Sequence, residues 1–250
     1  MSGHSKWATT KHRKAAQDSK RSAIFSKLSR VITVAAKTGG DPNPENNASL
    51  AAAIAKAKAY SLPRDKIETA IAKAFGANDG AVFETIIYEG YGSSGVAVYV
   101  ECLTDNRNRT AADVRAAFTR AGGNLATSGS VAFQFSRVGE IAIDKEGAPD
   151  EEELLLAVME AGGEDMEDDG EQFTVVTEPA DLMAVRDGLE AAGVTVRGAE
   201  LVMRPLNTVS LSVSDAKKVF RLTDRLEELD DVQDVFHNME LTDELMEALD

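Results

Sequence analysis

Apolar residues recur at helical spacing from about residue 22 to residue 75 of the 250-residue chain, and alternating apolar runs first appear beyond them. Ile24, Leu28, Val31, Ile32 and Ala35 form one apolar stripe, which predicts an amphipathic helix over 22–38 with Lys27, Arg30 and Lys37 on the opposite side. Thr38-Gly39-Gly40-Asp41-Pro42 ends it, because glycine caps a helix and proline cannot continue one. A second helix is predicted over Ser49 to Tyr60, with Leu50, Ile54 and Ala57 inward. Leu62-Pro63 stops it, and Pro63 suits the first position of a third helix that buries Ile67, Ile71 and Phe75 before Gly76. Three short amphipathic helices can cover one another's apolar faces, so the head is a small bundle.

The pattern then changes. Val82–Glu89 and Gly95–Leu103 read as strands, with Val96, Val98, Val100 and Cys102 alternating onto one face. A helix with Val114, Phe118 and Ala121 inward follows, then a short strand over Val131–Phe135. Next come strand 140–143, helix 152–160, a strand near Glu164, strand 172–177, helix 180–191 and strand 195–204. That β-α-β-β-α-β order is ferredoxin-like. Strand 208–213, helix 215–229 and strand 232–237 can complete the sheet begun at residue 82. The expected class is α+β: an N-terminal three-helix domain followed by two α/β domains, one a ferredoxin-like module inserted into the other. The expected limits are 1–76 for the head, 77–136 plus 207–240 for the split domain, 137–206 for the insertion and 241–250 for an acidic C-terminal helix.

Charge sharpens this picture. The chain carries a net −15, yet residues 1–75 hold 14 Lys and Arg against 5 Asp and Glu, a local +9. A basic head on an acidic body points to nucleic-acid binding confined to one end. Within residues 1–21, Lys6, Lys11, Arg13, Lys14, Lys20 and Arg21 are opposed by Asp18 alone, and no large apolar residue recurs. This stretch reads as an arm or helical extension whose cations neutralise phosphates and release counterions. Trp7 either stacks on an unpaired base or anchors the arm to the body. From Asp224 onward the tail holds 11 acids and one base, Arg225, a composition that repels nucleic acid and suits solvent or a basic protein.

Several familiar motifs fail on context. Gly90 to Gly95 matches G-x-G-x-x-G, but a strand follows it where a dinucleotide fold needs a helix, so it is a hairpin loop. A kinase-type loop would need a downstream lysine, and the next one is Lys145. The acidic turn Asp165–Gly170 lacks the terminal glutamate of a calcium loop, holding Val176 there, and Asp169-Gly170 fits a hairpin turn. His4 and His12 have no third ligand nearby, so no metal is expected. The three histidines are far apart and no serine sits in a nucleophile-elbow context, so neither an enzyme nor a cofactor is expected. Cys102 fits a core as a small hydrophobe, and a single cysteine suits a reducing compartment. No apolar run approaches the roughly 20 residues of a membrane helix. The opening MSGHSKWATTKHRK has no apolar signal core, which points to the cytoplasm and away from a membrane.

Asp105-Asn106-Arg107-Asn108-Arg109-Thr110 precedes the helix of the split domain. Asp or Asn can cap that helix, leaving two readings for the arginines: phosphate ligands near exposed N–H groups, or surface residues on a capped turn.

Longer strings carry a resemblance. Gly3-His4-Ser5-Lys6-Trp7-Ala8, then Lys11-His12-Arg13-Lys14-Ala15-Ala16-Gln17-Asp18, closely resembles the opening of the YebC/PmpR family. So do Tyr88-Glu89-Gly90-Tyr91-Gly92, Glu101-Cys102-Leu103-Thr104-Asp105-Asn106-Arg107-Asn108-Arg109-Thr110, and Gly122-Gly123-Asn124-Leu125 with Ser128-Gly129-Ser130-Val131. The strings cover most of residues 3–135. At Leu62 and Lys66 the family more often has Met and Asn. The resemblance implies a three-domain, non-enzymatic protein. Bacterial members are described as probable DNA-binding transcriptional regulators, mitochondrial relatives look like translational activators, and some bacterial members are implicated in relieving ribosomes stalled at proline runs.

These readings converge on a nucleic-acid-binding regulator of gene expression. Its expected contacts are Lys6, Trp7, Lys11, His12, Arg13, Lys14, Lys20, Arg21, Lys27 and Arg30. Tyr91, Asn106, Arg107, Asn108 and Arg109 are expected to line a second contact surface between domains. The partner is DNA or, alternatively, rRNA and tRNA on the ribosome. An adaptor that binds a basic protein through the acidic body is the reading from another class.

Overall fold

A computed structural model describes residues 14–76, 82–170, 172–242 and 245, with residues 14–20 described by their backbone alone. Helices α1 (Lys14–Gly39), α2 (Ala48–Ala59) and α3 (Arg64–Ala74) lead into strands β1 (Glu84–Tyr91) and β2 (Ala97–Thr104). Helix α4 (Arg107–Arg120), β3 (Asn124–Leu125), β4 (Phe135–Asp144), α5 (Glu151–Ala161), β5 (Asp165–Asp168) and β6 (Gln172–Thr177) follow. Helix α6 (Leu182–Ala191), β7 (Gly198–Pro205), α7 (Val213–Glu227) and β8 (Val232–His237) complete the order. The chain separates into two compact units, residues 1–79 with 137–202 and residues 80–136 with 203–250.

In the first unit the head is a three-helix bundle whose core is Leu28, Ile32, Ala36, Leu50, Ala53, Ala57, Leu62, Ile67, Ala70 and Ala74. Many of these are alanines, which let the helices approach closely. Helix α1 is already helical at Lys14, the first described residue and well before the apolar stripe starts at Ile24, and stops where Gly40 turns left-handed at φ 69°. Asn47 then serves two helices. Its Oδ1 accepts from the N–H of Leu50 at 3.0 Å, capping α2, and its Nδ2 donates to the carbonyl of Ala35 at 3.1 Å. Phe75 departs from the sequence expectation: it caps α3 and is 50% exposed, because Ala74 already occupies the last inward position.

The insertion forms a sheet of order β5-β6-β4-β7, which is the ferredoxin-like arrangement. One face packs Ile141, Ile143, Phe173 and Val175 against Leu154, Val158, Val185 and Leu189 of α5 and α6. The other face is buried as well: Ala142 and Thr174 are fully covered, and the carboxylates of Glu140 and Glu200 are enclosed. Lys56 of the head reaches Glu200 Oε2 at 3.3 Å. Head and insertion thus form one unit although a whole sheet-forming segment separates them in sequence.

The second unit is an antiparallel sheet of order β3-β1-β2-β8. β8 joins beside β2, so the last strand completes the sheet begun by the first two. Val96, Val98, Val100 and Cys102 enter one core with Val114 and Phe118 of α4 and Val219, Leu222 and Leu226 of α7. Intervening residues Ala97 and Tyr99 are also buried, so both faces of this central strand are covered. Two expected strands are absent. Residues 132–134 form a 3-10 turn, because the backbone there is drawn onto a side chain of β1. Residues 208–213 make a single bridge, Val209 to Met239, because Ser212 already caps α7 by accepting from the N–H of Asp215 at 3.2 Å.

Candidate nucleic-acid interface

Lys6, Trp7, Lys11, His12 and Arg13 lie outside the described residues, and Lys14 and Lys20 stand on α1. Arg21 is exposed, with its guanidinium 5.4 Å from the ring centroid of Phe25. That contact orients the cation while leaving its donors to solvent. Lys27 and Arg30 are half-buried and already hold interactions. The head offers further cations that the sequence reading passed over. Lys58, Lys66 and Lys73 are exposed, and Lys66 and Lys73, seven residues apart, share one side of α3. Arg64 is exposed and paired with Glu68 at 2.7 Å, a surface pair that stabilises little. The local excess of positive charge was a signal for these residues; which of them face outward was not.

In the second unit the residues of the Tyr88–Gly92 string divide their work between the two faces of β1. Glu89 and Tyr91 reach the loop after β3. The Glu89 carboxylate, 4% exposed, accepts from the N–H groups of Gly129 at 2.6 Å, Val131 at 2.7 Å and Ala132 at 2.8 Å. Tyr91 Oη donates to the carbonyl of Ser130 at 2.8 Å. Burial pushes the Glu89 pKa up, but the three backbone donors outweigh it and hold the carboxyl below its usual range. Gly90 points the other way, into Phe118. A Cβ there would stand 2.5 Å from Phe118 Cε1 and 2.6 Å from the carbonyl oxygen of Asn124. The carbonyl is part of the strand pairing and has little room to move, so Gly90→Ala is expected to cost about 2–3 kcal/mol. Thermal melting checks this; an unchanged midpoint would show that β1 shifts freely.

The string after β2 is likewise organised from within. Asn106 caps α4 by accepting from the N–H of Arg109 at 3.1 Å. Arg109 Nη2 donates to Asp231 Oδ2 at 2.8 Å and to Asp105 Oδ1 at 3.0 Å. Asp231 also accepts from Thr110 Oγ1 at 2.8 Å and Thr104 Oγ1 at 3.2 Å. Burial raises the Asp231 pKa, and the Arg109 guanidinium with the two hydroxyls brings it below the ordinary carboxylate value. The Arg109 charge is therefore met by two carboxylates. Arg107 is more loosely held, 3.5 Å from Glu84 with its side chain 69% exposed. Asn108 and Arg115, also seven residues apart, share an exposed side of α4.

Two further carboxylates are lowered: Asp215, to about 2, by Lys218, Ser212 and Ser93, and Asp168 by Lys145 and the N–H of Gly170. Each of these perturbed carboxylates is thus bound up in capping or bracing the fold. Among the described residues no group of three or more His, Cys, Asp or Glu is placed to hold a metal ion. No described helix is long and apolar enough to cross a membrane.

A helical head, a split α/β domain and a ferredoxin-like insertion define a three-part α+β protein with a cationic end and an acidic body. Residues 5–77 match the TACO1/YebC protein N-terminal domain and residues 83–239 match the TACO1/YebC second and third domain. The chain belongs to the TACO1/YebC family. It is 53% identical over 251 residues to a probable transcriptional regulatory protein of Bifidobacterium longum, covering 100% of this chain and 99% of that one. A protein of the same description from Nocardia farcinica is 51% identical over 251 residues, with 100% and 99% covered. The crystal structure of a conserved hypothetical protein from Aquifex aeolicus superposes with a TM-score of 0.84 at 44% identity, over 96% of this chain and 98% of that one.

Proposed function

We propose that this protein is a non-enzymatic regulator of gene expression that binds nucleic acid through its basic helical head. The observation that carries this reading is the segregation of charge. A net +9 lies within residues 1–75 of a chain whose total is −15, and Arg21, Lys58, Arg64, Lys66 and Lys73 present cations at the surface of the head. A phosphate backbone meets such a surface by counterion release, and the acidic remainder confines the contact to that end. The relatives named as probable transcriptional regulatory proteins support the same assignment. The perturbed carboxylates support the non-enzymatic part, since catalytic groups are ordinarily poised in a cleft and these hold the fold together. Arg107, Asn108 and Arg115 on α4 are assigned a second, weaker contact with phosphates; Tyr91, Asn106 and Arg109 support them by positioning the surrounding backbone.

Duplex DNA and structured RNA on the ribosome compete as targets. A salt-titrated competition between ribosomes and duplex DNA for the full chain separates them. DNA binding predicts that one duplex sequence outcompetes both ribosomes and random duplex; RNA binding predicts that ribosomes win at physiological salt. Replacing Lys11, Arg13 and Lys14 with alanine is expected to weaken binding and to lower the log–log salt slope on DNA by about 2–3. An unchanged slope would remove the arm from the interface.

A further inference from the structure

Helix α5 has two apolar sides. Leu154 and Val158 enter the core of the insertion. Leu155, Leu156 and Met159 face solvent, 43%, 63% and 66% exposed. They lie within one turn of each other, among the exposed carboxylates of Glu151, Glu152, Glu153 and Glu160. Residues 137–202 as a whole hold 19 Asp and Glu against 4 Lys and Arg. Scattered single apolar residues on a surface need no explanation, but three contiguous large ones on one short helix mark an interaction face.

We propose that this outer face of α5 docks a cationic amphipathic helix of a protein partner. Apolar side chains of that helix would pack on Leu155, Leu156 and Met159, and its Lys and Arg would meet the glutamate rim. The charge of the surface selects this occupant. Nucleic acid and anionic lipid are repelled by an acidic module. A second copy docked through this same face would bring two acidic modules together, which like-charge repulsion opposes. Methionine at the exposed end suits a helix-in-groove contact, because its flexible thioether adapts to the partner's side chains. This face belongs to the insertion and not to the cationic helices of the head, so the proposal stands independently of the nucleic-acid reading.

Fluorescence anisotropy on the full chain tests it with two labelled Leu/Lys peptides of identical composition. In one, leucines fall at helical spacing; in the other, their order is scrambled. The periodic peptide is expected to bind at least about 10-fold more tightly than the scrambled one. The double variant Leu156→Ser/Met159→Ser should lose most of that preference. Both positions are exposed, and an unchanged circular dichroism spectrum confirms that the fold persists. Equal affinity for the two peptides would reduce the effect to bulk charge and overturn the proposal, as would an unaffected double variant. Sedimentation showing a dimer that the double variant dissociates would assign the face to a second copy and overturn it as well.

Discussion

Glu89→Ala is expected to destabilise the split domain by about 3–5 kcal/mol, the cost of stranding several donors that a buried charge had satisfied. Three backbone N–H groups converge on this one carboxylate within 2.8 Å. Without it the loop from Gly129 to Ala132 loses the acceptor that pulled it into a turn. Glu89→Gln keeps the shape but turns an amide donor toward a backbone donor, so an intermediate loss of about 2 kcal/mol is expected. Hydrogen exchange locates the effect: the amides of Gly129, Val131 and Ala132 should lose protection first in both variants. Protection that survives Glu89→Ala would show that the loop is held by other means. The carboxyl also makes stability depend on pH. Its native pKa lies below the ordinary glutamate value, so its contribution is fully present above that value and is lost as pH falls through the lowered native one. Glu89→Gln should remove this part of the acid sensitivity.

The second large effect is expected at Asp231. Its side chain is 8% exposed and takes donors from Arg109, Thr110 and Thr104, on segments more than 120 residues away in sequence. Asp231→Ala leaves two buried hydroxyls and a guanidinium without their common acceptor, at a cost of about 3 kcal/mol. For a chain of this size that corresponds to a fall in Tm of roughly 6–12 °C. Arg109→Ala should do less, because its side chain is 48% exposed and water can replace part of what it supplies. A Tm unmoved by Asp231→Ala would refute the bracing role. The Asp231 pKa is lowered as well, so its contribution also persists above the unfolded carboxylate value and fades as pH falls through the native one. Both groups lie in the split domain, which is therefore expected to be the more acid-sensitive unit.

The alternation of Val96, Val98, Val100 and Cys102 was legible because every second side chain enters one core. The three helices of the head were legible for the related reason that a 3.6-residue period marks one buried stripe. Phe75 escaped that logic: the stripe nominated it, while the last inward position was filled by Ala74 and the chain turned away. The segment 208–213 reads as a strand on apolar alternation alone, but the Ser212 cap commits its end to α7. Among the candidate contacts, the sequence marked a cationic region without distinguishing the outward Lys66 and Lys73 from the half-buried Lys27 and Arg30. It offered Arg107 and Arg109 as equals, whereas Asp231 engages only the second.

Local periodicity, capping residues and the uneven placement of charge determined the helical head, the ferredoxin-like order of the insertion and the cationic end, because each is written within a window of a few turns or strands. Tertiary structure alone decided that Glu89 would be buried and satisfied, that Asp231 would join β2 to the start of α4, and that Lys56 would meet Glu200 on the far face of the inserted sheet. A charged residue in a polar string looks solvated until its partners are known, and those partners lie some 40 to 144 positions away. Long-range pairing of this kind follows from how whole elements pack, which no local pattern encodes.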